Sequence, residues 1–361
     1  TPAEDTNTPA EDNTPAEDAT PVETRENKVI YGSTTEISGD LGNAWWTNNA
    51  TDKMIRDLIN DYDTVIFDQF GQMVMNATTA ASIDQVHNDD GSITFTVKIN
   101  EGLTYNNGEP ITAADYAAYA LVYYAPATKE AGATVSADSV VGAKAYQAGE
   151  TKELAGVRLL DPYTYSISIT PDYANYYYAL SYASLAPLYL PLYGGEGLTV
   201  KDDGNGAYLD GGELTADGVN ASRYVYEGRV VAGPYMIKSL DTGALTATFE
   251  INPNYNGNFE GVKPSIQTIV IVKAEDDTMM DAFKTLAPRS LLLSVRPSLT
   301  CLTAKSSAPP SPAATALSST VRTPPHSGCI RNPKKSSTRS STTTHTTRQR
   351  LSKSSRLTAG R

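Results

Sequence analysis

The chain has 361 residues and a formal net charge of −12, from 41 acidic and 29 basic side chains. Such an acidic balance disfavours nucleic acid as a partner, because phosphate backbones are bound by cationic surfaces. The sequence has no apolar run of about 18 residues, so it predicts no membrane-spanning helix.

The average charge hides two unlike parts. Residues 1–281 hold all 41 acidic side chains but only 15 basic ones, a formal charge of −26, whereas residues 282–361 carry +14. All 22 Tyr lie in the first part, and both Cys lie in the second. This shift predicts a boundary near residue 282. A Cys-free acidic body is typical of an exported bacterial protein that folds without disulfides, although a cytosolic protein can have the same composition.

The chain begins with a repeat, TPAED, at residues 1–5, 8–12 and 14–18. Pro and like charges prevent a packed core, so residues 1–27 are predicted to be an acidic disordered linker. The first residue is not Met, and no charged-then-apolar leader precedes the repeat. We therefore expect that a signal segment has been removed.

Folded sequence begins near Lys28, and strands and helices alternate without a regular βαβ repeat. In chain order, the patterns predict a strand at 29–32, a loop at 33–39, a helix capped by Thr51 and Asp52, a hairpin turn at Asp90-Gly91, a strand at 92–99, a helix at 113–124, a strand at 164–170, a helical segment at 173–183, strands from 235, at 245–251 and at 266–272, and a helix from Asp276. Both α/β and α+β classes are compatible with this order.

The segment NNGEPITAAD at residues 106–115 predicts a tight turn followed by a capped helix. Gly108 supplies the positive φ of the turn, and Pro110 ends the preceding strand ladder. Thr112 is expected to cap the helix, with Asp115 completing a variant of the capping box.

No catalytic constellation can be named. His87, the only histidine before residue 282, lies in a polar turn, which favours a solvated side chain over a catalytic base. Residues 201–206 resemble the start of a calcium loop, but Ala207 stands where a ligand is required, so an acidic turn is favoured. Zinc spacings, phosphate loops and nucleophile elbows are absent from the sequence, so we expect a non-enzyme with no metal site and no cofactor.

Several short motifs follow one another in a fixed order between residues 28 and 284. They are the Tyr-Gly-Ser-Thr-Thr-Glu loop at 31–36, the strand–turn–helix segment at 101–115, LDPYT at 160–164, AGPY at 232–235, NPNY at 252–255 and the segment from Asp276 to Lys284. Together they resemble the family 5 extracellular solute-binding proteins of ABC importers, the oligopeptide- and dipeptide-binding group. Tyr105 and Ala232 depart from the family's usual Trp and Thr.

The resemblance implies an α/β, periplasmic-binding-protein-like (type II) fold in which two lobes close on a ligand. Residues 28–284 would form its N-terminal lobe, with an inserted subdomain at roughly 45–183, and the second lobe would be missing. It implies an extracytoplasmic, monomeric receptor that captures peptides and passes them to an ABC permease in the membrane. The acidic repeat would then be the spacer of a lipoprotein.

Motif position also implies roles for individual residues. Thr35, Glu36 and Ile37 are the ligand-binding candidates that the resemblance supports. Tyr105 and the Tyr-rich segment at 173–183 are expected to be structural, as most tyrosines of this chain are expected to pack the core. Structural roles are likewise expected for the remaining motif residues, Gly108, Pro110, Thr112, Asp115, Gly233, Pro234 and Tyr235.

Alternative functions remain open at this point. The same fold binds other small solutes, such as nickel chelates or oligosaccharides, although the scarcity of His argues against direct metal binding. The acidic repeat and the tyrosines would also suit a structural or adhesive surface protein. A permease and an ATPase encoded next to this gene would favour import.

The resemblance stops inside a motif, after Lys284. The following residues, 285–361, are basic and rich in Ser, Thr and Pro, and they are predicted to be a non-homologous disordered tail. In the family the second lobe, including the acidic residue that pairs with a peptide's amino terminus, comes after this point. We therefore expect this chain to bind peptide weakly or not at all.

A reading-frame shift near Lys284 would explain the break. Reading the third base of each codon with the first two of the next converts residues 285–290, with suitable synonymous codons, into Ser-Gly-Ala-Glu-Val, which resembles the family's continuation. The same offset converts residues 334–341 into the acidic Glu-Val-Leu-Asp-Glu-Val-Val. We predict that the nucleotide sequence encodes a family-like continuation in this offset frame. Codons through this region that give no such continuation, and that lack homopolymer runs, would refute the shift.

Overall fold

The computed structural model describes residues 27–42, 45–195, 197–275 and, for the backbone alone, 291–292. The linker before residue 27 and the predicted helix from Asp276 lie outside these ranges. So does the predicted tail at 285–361, except for Leu291–Leu292, whose backbone forms a short strand where disorder was predicted. Among the described residues no helix has the length and apolarity needed to cross a membrane.

Thirteen strands and seven α-helices are present in the described ranges. The strands are β1 Lys28–Ser33, β2 Val65–Phe67, β3 Met73–Met75, β4 Ala80–His87, β5 Ile93–Ile99, β6 Val157–Asp161, β7 Thr164–Ile169, β8 Thr199–Asp202, β9 Ala207–Asp210, β10 Tyr235–Asp241, β11 Thr246–Ile251, β12 Thr268–Lys273 and β13 Leu291–Leu292. The helices are α1 Ala50–Ile59, α2 Ala113–Tyr124, α3 Pro126–Glu130, α4 Ala143–Gln147, α5 Pro171–Ala174, α6 Pro191–Gly194 and α7 Ala216–Ser222, with a 3₁₀-helix at Ala179–Ala183.

One sheet has five strands in the order β10-β11-β12-β1-β13. Its centre is the parallel pair β1 and β12, in which Lys28 lies opposite Thr268 and Ser33 opposite Lys273. Strands β10, β11 and β12 form an antiparallel meander. Ile55 and Ile59 of α1 are fully buried in the core cluster that contains Phe249 of this sheet. This amphipathic helix therefore covers one face of the sheet.

The second main sheet is antiparallel, in the order β4-β5-β7-β6. On strand β5, which lies within the predicted strand at 92–99, Ile93, Phe95, Val97 and Ile99 are at most 2% exposed, so these alternate residues form its inward face. Alternating exposure of this kind follows from the two-residue period of a strand. Helix α2 packs on this sheet within the same core, which is the largest cluster of buried residues described.

The packing of α1 and of the β8–β9 hairpin differs from the packing that the predicted subdomain bounds imply. Helix α1 packs with the five-stranded sheet, whereas the hairpin of β8 and β9 packs with α2 and bridges to Leu154 through Ala207. The division at residues 45 and 183 stays a prediction. This packing favours boundaries after α1 and beyond β9 instead.

The predicted cap of α1 is wrong. Asn49, not Thr51 or Asp52, is the N-cap, and its side-chain oxygen accepts hydrogen bonds from the backbone N–H of Thr51 at 2.9 Å and Asp52 at 3.1 Å. The short Asn side chain reaches these unpaired amides well. Asp52 is thereby left to accept hydrogen bonds from Ser38.

The predicted helix at 173–183 is also wrong as a single element. Helix α5 ends at Ala174, and a separate 3₁₀-helix begins at Ala179. Between them, Tyr176 and Tyr177 are 52% and 82% exposed, and Tyr178 contacts Phe67 at a ring-centroid distance of 6.4 Å. Consecutive aromatic residues have modest helix propensity, and only some of these rings find a core to pack against. The result is an exposed aromatic group formed by Phe67 and Tyr176 to Tyr178.

The bounds and the cap of α2 are confirmed. The backbone N–H of Thr112 donates to Oδ2 of Asp115 at 2.7 Å, and the Thr112 hydroxyl donates to the same oxygen at 3.0 Å. The buried Tyr105 hydroxyl donates to Oδ1 of Asp115 at 3.0 Å. One carboxylate therefore caps the helix and satisfies a buried tyrosine.

We predict that Asp115→Ala lowers the free energy of unfolding by about 2 kcal/mol, because it removes the cap and leaves the Tyr105 hydroxyl without an acceptor. Urea unfolding measures this loss. In a Tyr105→Phe background the loss should fall to about 1 kcal/mol, the share of the cap alone. Equal losses in the two backgrounds would contradict the shared role of this carboxylate.

Candidate functional site

Three of the sequence motifs meet at one junction. The backbone N–H of Asn106 donates to the Val231 carbonyl at 3.0 Å, and its side-chain oxygen accepts from the Val231 N–H at 2.9 Å. The amide group of Asn254 donates to the Asn106 carbonyl at 2.9 Å. The turn at 106–110 is thus tied to the segments around Gly233 and Tyr255 by side chains that satisfy backbone groups.

Steric constraints explain why two positions in these motifs are glycine. Gly108 has a φ of 87° in its tight turn, where a side chain would be strained. Gly233 packs against the end of α1, where its N–H donates to the Ile59 carbonyl at 2.8 Å and a Cβ would overlap the Ile59 backbone. Pro234 and Tyr235 follow, and the Tyr235 hydroxyl donates to the Ile266 carbonyl. Gly233 and Tyr235 thus hold α1 and the segment before β12 to the start of β10.

The candidate ligand loop, residues 34–42, follows β1 at the carboxyl end of the parallel pair β1 and β12. In open α/β sheets, ligands bind outside the carboxyl ends of the strands. Side chains of α1 and its cap anchor the loop. The Thr51 hydroxyl donates to the Thr35 carbonyl at 2.7 Å, and the Asn49 amide donates to the Glu36 carbonyl at 3.0 Å.

The three candidate residues present different groups. Ile37 as a whole residue is only 2% exposed, and its side chain belongs to the core cluster of the five-stranded sheet, so the side chain is not offered to a ligand. Its backbone N–H and C=O, and the backbone N–H of Glu36, have no hydrogen-bond partner among the described residues. The Glu36 side chain is exposed, and Thr35 is half-buried. The groups of Glu36 and Ile37 that lack a hydrogen-bond partner are therefore backbone groups.

An ion pair locks the second half of the loop. Asp40 accepts from Nη2 of Arg223 at 2.6 Å and from its Nε at 3.1 Å, and both side chains are largely buried. The paired carboxylate raises the pKa of Arg223. Arg223 also lies over the Trp46 ring at 4.6 Å, and Arg56 donates to the Asp40 carbonyl. A bidentate pair of this kind holds the loop geometry in place.

A small cavity of about 60 Å³ lies beside this loop. Its walls include Leu41, Asn60, Tyr105, Tyr193 and the segment around Arg229. Sequence reasoning missed it, because these residues come from five separate segments. One feature of the sequence points to this cavity: Arg229 is a single charged residue directly before the apolar stretch VVAGPY at residues 230–235.

The turn between α1 and β2 is strained and acidic. Tyr62 has a φ of 68°, held by the Tyr116 hydroxyl, which donates to its carbonyl, and by stacking on Tyr255. Asp63, half-buried, forms no ion pair with the described residues. Burial, and then the charge of Asp61, raises the pKa of the Asp63 carboxyl to about 6.

Other candidates have ordinary surroundings. His87 ends β4 and contacts Gln85 at 3.0 Å. Asp202, in the segment that resembles a calcium loop, pairs with Arg158 through two contacts of 2.8 Å, so its carboxylate is already engaged. Among the described residues, no group of three or more His, Cys, Asp or Glu is arranged to hold a metal ion.

Comparison with known proteins supports the fold. A family model described as bacterial extracellular solute-binding proteins, family 5 Middle, matches residues 78–286. Listeria monocytogenes OppA bound to peptide is similar at 17% sequence identity and a TM-score of 0.53, covering 72% of this chain and 45% of that one. The Haemophilus influenzae OppA complex with RPPGFSPFR is similar at 17% identity and a TM-score of 0.50, covering 73% and 45%. No curated protein matches the sequence.

The expected α/β, type II periplasmic-binding-protein-like fold is confirmed by these comparisons. The chain spans less than half the length of the solved structures that it resembles. At these identities the similarity establishes the fold and not the ligand.

We predict that Asp63→Asn stabilises the protein at pH 8 by about 2 kcal/mol and has no effect below pH 4. The folded pKa of about 6 lies above the ordinary 3.8, so stability is highest with Asp63 protonated and is lost as the pH rises through 6. Thermal unfolding from pH 4 to 8 measures the difference. The exposed Asp241→Asn is the matched control, and a difference that does not vary with pH would contradict the assignment.

Proposed function

Because the chain belongs to the family 5 bacterial extracellular solute-binding proteins, we propose that it captures peptides outside the cytoplasm for import by an ABC permease in the membrane. The observation that carries this proposal is the pair of unpartnered backbone groups on Ile37. They lie in a loop whose other backbone groups are largely engaged by side chains.

An extended peptide is the natural complement to these groups. A residue of an antiparallel strand pair exchanges both its N–H and its C=O with the residue opposite, and Ile37 offers both. Recognition through the backbone tolerates many ligand side chains. The buried Ile37 side chain and the anchored Thr35 and Glu36 carbonyls hold these groups in position before binding, which reduces the entropy lost on binding.

Two of the similar structures are described as peptide complexes, which is consistent with this ligand class. We extend the proposal to a monomeric receptor whose segment 1–27 is a spacer to a lipid anchor, and whose residues 28–284 form one lobe. A ligand held by one lobe keeps much of its surface in water. Binding by this chain alone is therefore expected to be weak, with a dissociation constant of about 1 mM.

The test is a titration of the full chain with a mixture of tripeptides, followed by amide hydrogen exchange. We predict that peptide slows exchange of the Glu36 and Ile37 amides at least several-fold, because both acquire acceptors. The Leu41 amide is the internal control, since it already donates to the Arg223 carbonyl at 2.9 Å and should not change.

The same experiment distinguishes peptides from the alternative ligand classes. A neutral trisaccharide and a nickel chelate are titrated in parallel with the peptides. Protection of these two amides by either of them, with no protection by peptides, would replace the proposed ligand class. No change with any ligand up to about ten times the expected dissociation constant would refute capture by this loop.

A further inference from the structure

A buried guanidinium beside the cavity has no carboxylate partner. Arg229 is 8% exposed, and its three hydrogen bonds all go to backbone carbonyls, those of Ser222 at 2.7 Å, Val225 at 3.1 Å and Leu41 at 3.4 Å. A guanidinium has five N–H donors, and among the described residues the Nε–H of Arg229 has no acceptor. A buried charge without a counter-charge is costly.

The nearest acidic group is already used. Asp40 is paired with Arg223 and also accepts from the backbone N–H of Gly42 at 2.9 Å. Arg56, Arg223 and Arg229 all lie within electrostatic reach of this one carboxylate. Arg56 also has Asp52 and Asp57 within electrostatic reach, whereas Asp40 is the only carboxylate within such reach of Arg229 among the described residues.

From the cavity and the uncompensated arginine that lines it, we propose that this cavity binds a carboxylate group. A guanidinium fork matches the two oxygens of a carboxylate, and a charge-assisted hydrogen bond is stronger than one between neutral groups. The inference is independent of the peptide proposal, because the carboxylate can belong to a peptide's C-terminus or to a small free acid.

The other walls of the cavity are consistent with one carboxylate. Two wall tyrosines direct their hydroxyl protons elsewhere, Tyr105 to Asp115 at 3.0 Å and Tyr189 to Glu109 at 3.1 Å. They therefore act as apolar walls and leave Arg229 as the charged donor.

Size restricts the ligand further. The cavity of about 60 Å³ is well below the roughly 150 Å³ of a cavity that holds benzene. It has room for a carboxylate and an adjoining methyl group. The chemistry is thus a single aliphatic carboxylate, either free or at the end of a chain.

The experiment uses the full chain and sodium acetate as the probe, at constant ionic strength set with sodium chloride. Nitrogen-edited NMR follows the Nε–H signal of Arg229. We expect a saturable shift with acetate and none with the neutral isostere acetamide. Equal responses to acetate, chloride and acetamide would overturn the proposal.

Two variants separate the site from general charge effects. Ala186→Leu fills the half-exposed rim of the cavity and keeps Arg229, and it should weaken acetate binding about tenfold. Ala81→Leu, on the exposed side of β4, is the matched control and should bind as the parent does. Unchanged acetate binding in Ala186→Leu would also overturn the proposal, and this variant avoids the loss of folding that replacing Arg229 risks.

The source of the carboxylate is decided with trialanine and trialanine amide. A terminal carboxylate is indicated if the free peptide competes with acetate and the amide does not. A small free acid is indicated if acetate binds and neither peptide competes. Both outcomes support a carboxylate site, and they remain distinguishable from the hydrogen-exchange response at Ile37.

Discussion

The parallel pairing of β1 with β12 is the constraint on which the rest of the fold depends. It joins the first described strand to one that lies 240 residues later in the sequence. Every other described element except β13 therefore lies between these two strands in the sequence. The pairing continues past the strands, where the Ala274 N–H donates to the Ser33 carbonyl at 2.8 Å. The candidate loop begins at this point, and its position is therefore set by a contact between the two ends of the described chain.

Local patterns in the sequence were sufficient to predict the features that are determined by residues close to one another in the chain. The turn at Gly108, the cap formed by Thr112 and Asp115, and the alternating face of β5 all depend on backbone sterics or on side chains a few residues apart. The motif order was sufficient for the family. Three of the motifs meet in the structure, where Asn106 contacts both Val231 and Asn254 although they are far apart in sequence.

Features decided by distant contacts were not predictable. Asp52 looked like a cap, but it serves the loop at Ser38, and Asn49 caps the helix in its place. The tyrosines at 173–183 looked helical, but packing divides them into buried and exposed rings. The Arg229 cavity requires five segments to converge, and the unpartnered backbone groups of the buried Ile37 require the loop geometry itself.

The exposed aromatic group of Phe67 and Tyr176 to Tyr178 has a consequence for the behaviour of the protein in solution. Clustered apolar rings on a surface promote contact between copies. The charge of −26 on residues 1–281 opposes that contact through mutual repulsion. Salt shortens the reach of this repulsion to about 8 Å at physiological ionic strength. For residues 1–281, salt therefore shifts the balance between the acidic surface and these rings toward the rings.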